Sequence, residues 1–257
     1  MRILAVGDLV GEIGLNKLKE VLPNLIEAEH IDFVVVNAEN VAGGMGITTK
    51  DFNILNKMKI DAITMGNHTW GKKDIFAFID NPKLLRPANY SEGVPGKGYA
   101  IYECKGKKIA VINLIGRTEM AVLSENPFIV VENIINKIKN EVDIIIVDFH
   151  AEATAEKVAM KYYLDGKATV IFGTHTHIQT ADEDITENGT GYITDLGMTG
   201  PKDSVIGMDI GASIKRFVTS LPERYKLAEG KAMFNGCIFE INDESCKTES
   251  ILRLSLD

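Results

Sequence analysis

The sequence predicts an α/β fold in which two mixed sheets pack face to face and helices cover the outside. Short, continuous runs of β-branched residues alternate with segments of helical periodicity, and further strand patterns occur in the middle and at the end of the chain. Continuous apolar runs are typical of strands that are buried on both faces of a sheet. No linker rich in Pro, Gly or Ser divides the 257 residues, so we expect a single domain over 1–257.

Five of the strand-like runs end directly before a polar side chain that can bind a metal. In chain order they are residues 2–7 before Asp8, 32–36 before 37–40, 61–66 before 67–68, 143–149 before His150, and 168–174 before 175–177. In an open α/β sheet, ligands bind outside the carboxyl ends of the strands. We therefore expect all five polar groups to converge on one edge.

Helices and hairpins connect these strands. The predicted helices cover 15–29, 48–59, 74–79, 128–140, 154–164 and 209–219, and the predicted hairpins turn at 104–108 and at 188–189. Residues 232–241 and 249–256 return to a strand pattern around a turn at 242–245. These strands and those of the middle hairpin predict the second sheet.

The composition excludes several classes of protein. The net charge is −8 and the pI is near 5.3, with Lys and Arg scattered, which argues against nonspecific binding of nucleic acid or of a membrane surface. Three cysteines without regular spacing predict free thiols, as in a reducing cytoplasm. No apolar run approaches the roughly 18 residues of a membrane helix, and the first strand is too short for a signal sequence, so we expect a cytoplasmic protein.

The histidines provide the strongest functional signal. Four of the five, His68, His150, His175 and His177, follow apolar strand runs, whereas His30 lies at a helix-to-strand connection. Taken alone, a residue such as His150 is more often a hydrogen-bonded core side chain, and Asp8 more often a helix N-cap. The joint pattern is not explained by chance placement, and it favours a metal site.

The candidate ligands are imidazoles, carboxylates and amide oxygens, with no cysteine. They are Asp8, Glu39, Asn40, Asn67, His150, His175 and His177. This donor set suits iron, manganese or zinc, and seven ligands are too many for one four-coordinate ion. Two divalent ions bring a charge of about +4 against about −2 from the two carboxylates, so the remaining positions suit hydroxide and a phosphoryl anion. The site is therefore suited to phosphate ester hydrolysis.

The motifs that carry these residues resemble those of a known enzyme family. They are Gly7-Asp8, Asn37-Ala38-Glu39-Asn40, Gly66-Asn67-His68, His150 and Gly173-Thr174-His175-Thr176-His177. In this order they resemble the motifs of the calcineurin-like metallophosphoesterases, and most closely the bacterial branch of 2′,3′-cyclic-nucleotide 2′-phosphodiesterases. The likeness extends over nearly the whole chain and includes 43–48, 86–90, 148–152 and 195–201.

The resemblance implies a four-layer αββα sandwich and a division of the ligands between two ions. Iron or manganese is expected in this centre, as two divalent or mixed-valence ions, with zinc also compatible. The wider superfamily has a histidine two positions after the first aspartate, where this chain has Val10. In the branch that it resembles, Asn40 takes that ligand's place. One ion would then bind Asp8, Glu39, Asn40 and His177, and the other Glu39, Asn67, His150 and His175, with Glu39 bridging.

His68 is left beside the metals and is the candidate general acid, because protonation of a leaving ribose oxygen can contribute roughly 10²- to 10⁴-fold in rate. The alternative is that His68 only orders its loop together with Trp70. The expected reaction is attack of a metal-bridging hydroxide on a 2′,3′-cyclic nucleotide, which leaves a 3′-phosphate. Gly43 and Gly44 could bring backbone close to this substrate, and Arg117 is either a phosphate contact or part of a surface ion pair.

Two other functions stay open at this point. A broader phosphodiesterase or phosphomonoesterase would use the same metals, because they recognise the phosphoryl group and not the base. A regulatory protein that senses a nucleotide or a metal with little turnover would have no need of His68. The expected partner is a small phosphodiester, with no stable nucleic-acid or membrane binding, and apolar residues in the last hairpin favour a homo-oligomer.

Overall fold

The computed structural model describes residues 1–257 and contains fourteen strands and five α-helices. In chain order these are β1 (Arg2–Val6), β2 (Asp8–Leu9), α1 (Gly11–Ala28), β3 (Phe33–Asn37), α2 (Thr49–Asn56), β4 (Ala62–Thr64), a 3-10 helix (Lys73–Ala77), β5 (Leu84–Leu85), β6 (Tyr99–Cys104), β7 (Lys107–Ile115), α3 (Pro127–Ile138), β8 (Ile144–His150), α4 (Thr154–Tyr163), β9 (Val170–Thr174), β10 (Asp184–Ile185), β11 (Gly191–Ile193), β12 (Met198–Pro201), α5 (Ile210–Thr219), β13 (Ala232–Ile241) and β14 (Thr248–Leu256).

The strands form two mixed sheets. The eight-stranded sheet has the order β2-β12-β13-β1-β3-β4-β5, with β14 paired to β13, and the six-stranded sheet has the order β10-β11-β9-β8-β7-β6. Within the larger sheet β1, β3, β4 and β5 run parallel. Within the smaller sheet β7, β8, β9 and β11 run parallel. Each sheet therefore places the carboxyl ends of its central strands at one edge.

Three hydrophobic layers hold the elements together. One lies between the eight-stranded sheet and helices α1 and α2 and includes Leu18 and Phe52. The second lies between the sheets and includes Phe33 and Phe172, and the third, with Met160, lies between the six-stranded sheet and α3 and α4. Each fully buried apolar side chain contributes about 1.5–3 kcal/mol to folding. The order helix, sheet, sheet, helix confirms the predicted αββα sandwich.

The terminal hairpin of β13 and β14 differs from the prediction. It belongs to the eight-stranded sheet, where β13 pairs antiparallel with β1 through Ile3 and Phe239. The second sheet thus takes the middle hairpin, β6 and β7, but not the last one. A strand pattern reports which residues are buried, but it carries no information on a pairing partner more than two hundred residues away.

Local signals set the helix boundaries. Thr48 and Asp51 form a capping box that starts α2, and Asn126 caps α3 immediately before Pro127. The predicted helix at 74–79 is a five-residue 3-10 helix. All three cysteines are free, as predicted, and none of the helices combines the length and apolar content needed to cross a membrane.

Candidate metal centre

The polar residues that follow the strand runs come together, but from two sheets and not from a single edge. Asp8, Glu39 and Asn67 follow β1, β3 and β4 of the larger sheet, whereas His150 is the last residue of β8 and His175 follows β9 in the smaller sheet. The His175 backbone N–H donates to Asp8 Oδ2 at 3.1 Å, and His150 Nε2 lies 2.8 Å from Asn67 Oδ1. The site therefore forms where the carboxyl ends of the two sheets face each other.

Two glycines allow this close approach. A Cβ at Gly66 would lie 2.4 Å from Glu39 Oε2 and 2.4 Å from His150 Nε2, which would push apart the two side chains that meet there. A Cβ at Gly7 would lie 2.0 Å from the carbonyl oxygen of Gly197. Because Gly7 has no side chain, the main chain that leads to Asp8 can pack directly on the main chain of residue 197.

The orientation of His150 follows from its hydrogen bonds. Its Nδ1 lies 2.9 Å from Thr174 Oγ1, and this hydroxyl donates to Asp148 Oδ1 at 2.8 Å. Since the single hydroxyl proton goes to the carboxylate, Thr174 must accept the N–H from Nδ1 of His150. The lone pair of His150 Nε2 then points to Glu39 Oε1 at 3.2 Å and to His175 Nδ1 at 3.0 Å.

The other two ligand candidates among the histidines are oriented in the same way. His175 Nε2 lies 3.1 Å from Glu152 Oε2, so the proton on this nitrogen faces outward and Nδ1 faces the site. His177 Nδ1 donates to the carbonyl of Ile206 at 2.9 Å, which leaves Nε2 directed at Asn40. Second partners of this kind fix the tautomer of metal-binding histidines.

A buried ion pair supports the loop that carries these two histidines. His175 and His177 both have positive φ values, 101° and 66°, which L-residues rarely adopt. The residue between them, Thr176, donates from its backbone N–H and its hydroxyl to Asp195 Oδ2 at 3.1 and 2.7 Å. The same oxygen accepts from Lys157 Nζ at 2.7 Å. The loop is thus held in its unusual conformation by a buried carboxylate.

The arrangement fits a divalent cation. Glu39, His150 and His175 each offer one ligand atom, and these atoms all lie within 4.8 Å of one another. With neutral imidazoles in the tautomers derived above, these atoms present lone pairs to each other, which is repulsive unless a proton or a metal cation lies between them. Asp8 Oδ1 is buried and has no hydrogen-bond partner, and the ring nitrogen Nδ1 of His150 lies 3.8 Å from it, so this oxygen is also free to bind a cation.

The pKa values show that a proton on His150 can supply this positive charge in place of a cation. Burial disfavours the charged form of His150, but the adjacent Glu39 carboxylate outweighs it and raises the pKa of His150 to about 9. Burial also acts against the charge of Glu39, yet His150 holds its pKa well below the ordinary value. Burial and the neighbouring His150 lower the pKa of His175 to about 3, which keeps that imidazole neutral, as a metal ligand must be.

His68 lies at the solvent side of this cluster. Its side chain is 30% exposed, its backbone N–H donates to Glu39 Oε2 at 2.9 Å, and its Nδ1 lies 2.7 Å from Asn40 Oδ1. Trp70 of the same loop stacks on Phe76 with the ring centroids 5.5 Å apart and does not depend on His68 for this packing. The imidazole is therefore fixed beside the cluster and not buried within it.

A cavity of about 340 Å³ opens above the cluster. Its lining residues are Glu39, Asn40, His68, Glu152, His175, Thr176, His177, Val205, Ile206, Met208, Ser213, Arg216, Phe217 and Tyr225. Asp8, Asn67 and His150 lie below this surface and meet the lining residues through the contacts described above. The metal-ligand candidates thus form the floor of one open cleft.

The three sequence candidates for substrate contact do not line this cavity. Arg117 is exposed in a separate cleft beside the start of α3, where its backbone N–H donates to Glu156. Gly43 lies in another cleft, and Gly44 packs against the ring of Tyr225. Arg117 is a candidate in the sequence because it follows a buried strand, but in the structure it lines a different cleft from the ligand cluster.

Several lining residues had no role assigned from the sequence. Glu152 lies within residues 148–152, two residues after the candidate ligand His150, and this spacing is a signal that the sequence contains. Arg216 and Tyr225 lie in and after α5, where the helical periodicity was recognised but its relation to the site was not visible. Both residues are far along the chain from every candidate ligand, so the pattern of polar residues directly after strands does not identify them.

Comparison with known proteins gives a consistent picture. The family model of YmdB-like proteins matches residues 4–254. The 2′,3′-cyclic-nucleotide 2′-phosphodiesterase of Bacillus subtilis (strain 168) is 48% identical over 258 residues, which cover 100% of this chain and 97% of that protein. The crystal structure of a novel phosphatase from Mycoplasma pneumoniae superposes with a TM-score of 0.94 at 37% identity, covering 100% of this chain and 93% of the other.

A protein described as hypothetical from Thermus thermophilus superposes equally well. Its TM-score is 0.93 at 34% identity, and the match covers 99% of this chain and 98% of the other. Residues 4–254, which the family model matches, include every ligand candidate. The chain therefore belongs to the family of YmdB-like proteins, and the likeness to metallophosphoesterases that its motifs indicated is confirmed.

Proposed function

We propose that the protein is a two-metal phosphodiesterase that hydrolyses 2′,3′-cyclic nucleotides to 3′-nucleotides. The observation that carries the proposal is the convergence of one ligand atom each from Glu39, His150 and His175, all within 4.8 Å of one another, on the floor of an open cleft. The Bacillus subtilis relative, whose name states this reaction, is identical at 48% of positions. Together they favour an anionic phosphoester substrate over other ligands of a metal site.

Two sets of residues would hold the ions. Glu39, Asn67, His150 and His175 would hold one, in line with the contacts of 2.8–3.2 Å that His150 Nε2 makes with the other three. Asp8, Asn40 and His177 would hold the other together with the bridging Glu39, and iron or manganese suits these donors, with zinc also compatible. When bound, such ions neutralise phosphoryl charge and favour the ionisation of a water molecule.

The orientation of the Asn40 amide affects both metal binding and the protonation of His68. Its Nδ2 now faces Glu39 Oε1 and His177 Nε2, each at 3.1 Å, and an amide nitrogen cannot act as a metal ligand. A 180° rotation of the amide directs Oδ1 to that position and Nδ2 to His68 Nδ1. The flipped amide suits a neutral His68 ring, whereas Asn40 Oδ1 at 2.7 Å, as in this structure, accepts the Nδ1–H of the imidazolium, the form that can give its Nε2 proton to a leaving oxygen.

His68 would protonate the leaving 2′ oxygen as the general acid. The imidazole lines the cavity, is partly exposed, and is held by Asn40 at a fixed distance from the cluster. Protonation of a leaving alkoxide contributes roughly 10²- to 10⁴-fold in rate. The alternative, in which His68 only orders its loop, is less favoured because Trp70 already packs there on Phe76 and Tyr90.

The direct test is to incubate metal-analysed protein with 2′,3′-cyclic AMP and identify the product by chromatography. We expect 3′-AMP, and we expect its formation to be lost in Glu39→Gln, which removes one charge and keeps the shape. Glu187→Gln is the matched control, because Glu187 is exposed and its carboxylate makes no hydrogen bond or ion pair. Two bound metals without turnover would refute the reaction, and absence of bound metal after reconstitution would refute the site.

A broader phosphodiesterase or phosphomonoesterase is the second candidate. The solved Mycoplasma pneumoniae relative is described as a phosphatase, and the ligand cluster addresses the phosphoryl group and not the base. Comparing kcat/KM for 2′,3′-cyclic nucleotides, 3′,5′-cyclic nucleotides and 3′-nucleotides separates the two. Similar values for all three substrates would favour the broader enzyme.

Further proposals concern the setting of the enzyme. Leu252 and Leu256, 49% and 36% exposed, lie on β14, which has a partner on one side only. An exposed apolar edge strand suits pairing with a second copy, so we propose a homo-oligomer, which sedimentation would test.

We also propose that the 257 residues form a single domain that works in the reducing cytoplasm, in agreement with three free cysteines.

A further inference from the structure

The cavity above the ligand cluster has a second wall for which the hydrolytic chemistry gives no role. We call it the 205–225 wall. Its residues are Val205, Ile206, Met208, Ser213, Arg216, Phe217 and Tyr225. The wall is mainly apolar and aromatic, whereas the opposite side of the cavity is made of carboxylates, amides and imidazoles. A cavity of this size, about 340 Å³, falls within the range of small-ligand pockets.

The wall is tied to the cluster and to the core. The carbonyl of Ile206 accepts the hydrogen bond from His177 Nδ1, so one end of the wall orients a ligand candidate. Behind it, the Ala228 backbone N–H donates to the Gly207 carbonyl at 3.0 Å, and Asp209 N–H donates to the Lys226 carbonyl at 2.9 Å. These hydrogen bonds therefore fix the position of the wall relative to the ligand cluster.

Two aromatic rings of the wall lack aromatic partners. Tyr225 is 53% exposed and Phe217 is 79% exposed, and neither ring stacks on another aromatic side chain. Tyr225 packs against Gly44, where a Cβ would lie 2.9 Å from its Cε1, and the φ of +84° at Gly44 favours glycine there as well. The ring is thus supported by main chain and still presents much of its surface to the cavity.

Arg216 is the only Lys or Arg in the cavity lining. Its guanidinium makes no ion pair and no hydrogen bond within the chain, unlike those of Arg86 and Arg253. On α5, Arg216 and Phe217 lie three and four residues after Ser213, which places the three side chains on one face of the helix. The face that borders the cavity therefore combines a free cation with an aromatic ring.

We propose that the 205–225 wall is the nucleoside subsite, in which the base stacks on Tyr225 and Phe217 while Arg216 pairs with the phosphate. This inference rests on the proposed function and adds the part of the substrate that the metals do not recognise. Stacking on an aromatic side chain accepts any base, because every base has a π face. The subsite therefore selects nucleotides over phosphodiesters without a base, and it discriminates weakly among bases.

The test compares binding of the product 3′-AMP with binding of ribose 3-phosphate, the same product without its base, by isothermal titration calorimetry on metal-loaded protein. We expect 3′-AMP to bind about 5- to 150-fold tighter, the range that corresponds to stacking of one base. Tyr225→Ala and Phe217→Ala should reduce that ratio, and the double variant should bring it close to one. Tyr162→Ala is the control, because Tyr162 is 69% exposed on α4 and lies outside the cavity.

Arg216→Met should weaken the binding of both compounds by a similar factor, since both carry the phosphate, and Arg117→Met should weaken neither. Equal affinities of the wild type for the two compounds, or a ratio that persists in the double variant, would overturn the subsite. Turnover of 2′,3′-cyclic AMP, followed on the same samples, reports on the proposed function alone. A protein that prefers 3′-AMP through the wall but hydrolyses nothing would refute the reaction and leave the subsite in place.

Discussion

The Lys157–Asp195 pair offers the sharpest test of how the candidate centre is held. Lys157 and Asp195 are 1% and 0% exposed, and Lys157 Nζ lies 2.7 Å from Asp195 Oδ2. The carboxylate also accepts from Thr176 through Oδ2 and from the Gly197 backbone N–H through Oδ1 at 2.8 Å. It is thus the centre of a fully satisfied buried network, one bond of which holds the loop between His175 and His177.

We predict that Lys157→Met destabilises the protein by about 3–5 kcal/mol, because it leaves a charged carboxylate buried without its counter-ion while methionine still fills much of the volume of the lysine stem. For a chain of this size the loss corresponds to a fall in Tm of about 6–20 °C. Lys157→Met combined with Asp195→Asn should recover part of the loss, since asparagine carries no charge and its side-chain oxygen still accepts from Thr176, while the Gly197 N–H loses its acceptor.

The assay is urea unfolding followed by circular dichroism, with the metal content of each variant measured alongside. Lys202→Met is the matched control: its partner, Asp257, lies at 2.5 Å, but the two side chains are 40% and 74% exposed, so the loss should be at most about 1 kcal/mol. If Lys157→Met cost no more than Lys202→Met, the view that a buried pair supports the loop would be refuted.

Three further predictions concern the centre itself. Thr174→Val removes the hydroxyl between His150 and Asp148, so metal affinity, measured by chelator competition, should fall about 10- to 100-fold, and Thr174→Ser should retain it. His68→Ala should lower kcat by roughly 10²- to 10⁴-fold with the metal content unchanged, and a drop in metal content would instead assign His68 to metal binding. Gly66→Ala places a Cβ 2.4 Å from His150 Nε2, so the folded variant should bind less than two metals per chain, measured by elemental analysis.

Much of the site was predictable because its signals are local. A parallel strand that is buried on both faces is mostly apolar, so a polar residue at the end of the run marks the carboxyl end, as Asp8 does after β1 and His150 does at the end of β8. The same logic identified the αββα layers, since helices and strands alternate along the chain. These features depend on neighbours in sequence, and a single sequence records them directly.

What the sequence did not reveal depends on contacts between distant segments. Lys157 appears in a helix pattern as an ordinary charged position, yet it is buried because Asp195, 38 residues further along, meets it there. The sequence does not indicate that Arg216 borders the cavity and Arg117 does not, because only the chain path between β12 and β13 brings α5 to the cavity. Contacts with distant residues decide whether a charged side chain is buried and where a loop lies, and the type of a residue alone is a weak guide to these contacts.

The convergence of ligands from two sheets needs a further cause, because apolar packing between sheets has no preferred direction and would tolerate sliding. Directional hydrogen bonds cross the interface near the carboxyl ends. Asn37 and Thr64 of the larger sheet donate to Asp148 of the smaller sheet at 3.2 and 2.5 Å.

In the opposite direction, Asn113 of the smaller sheet donates to the carbonyls of Met65 and Leu85, at 2.7 and 2.9 Å. A shift of one sheet against the other by a single ångström would break these buried bonds and leave their groups unsatisfied, at about 1–3 kcal/mol for each group. The apolar layer therefore holds the sheets together, while these hydrogen bonds fix the position of one sheet relative to the other. This relative position brings His150 into contact with Glu39 and Asn67.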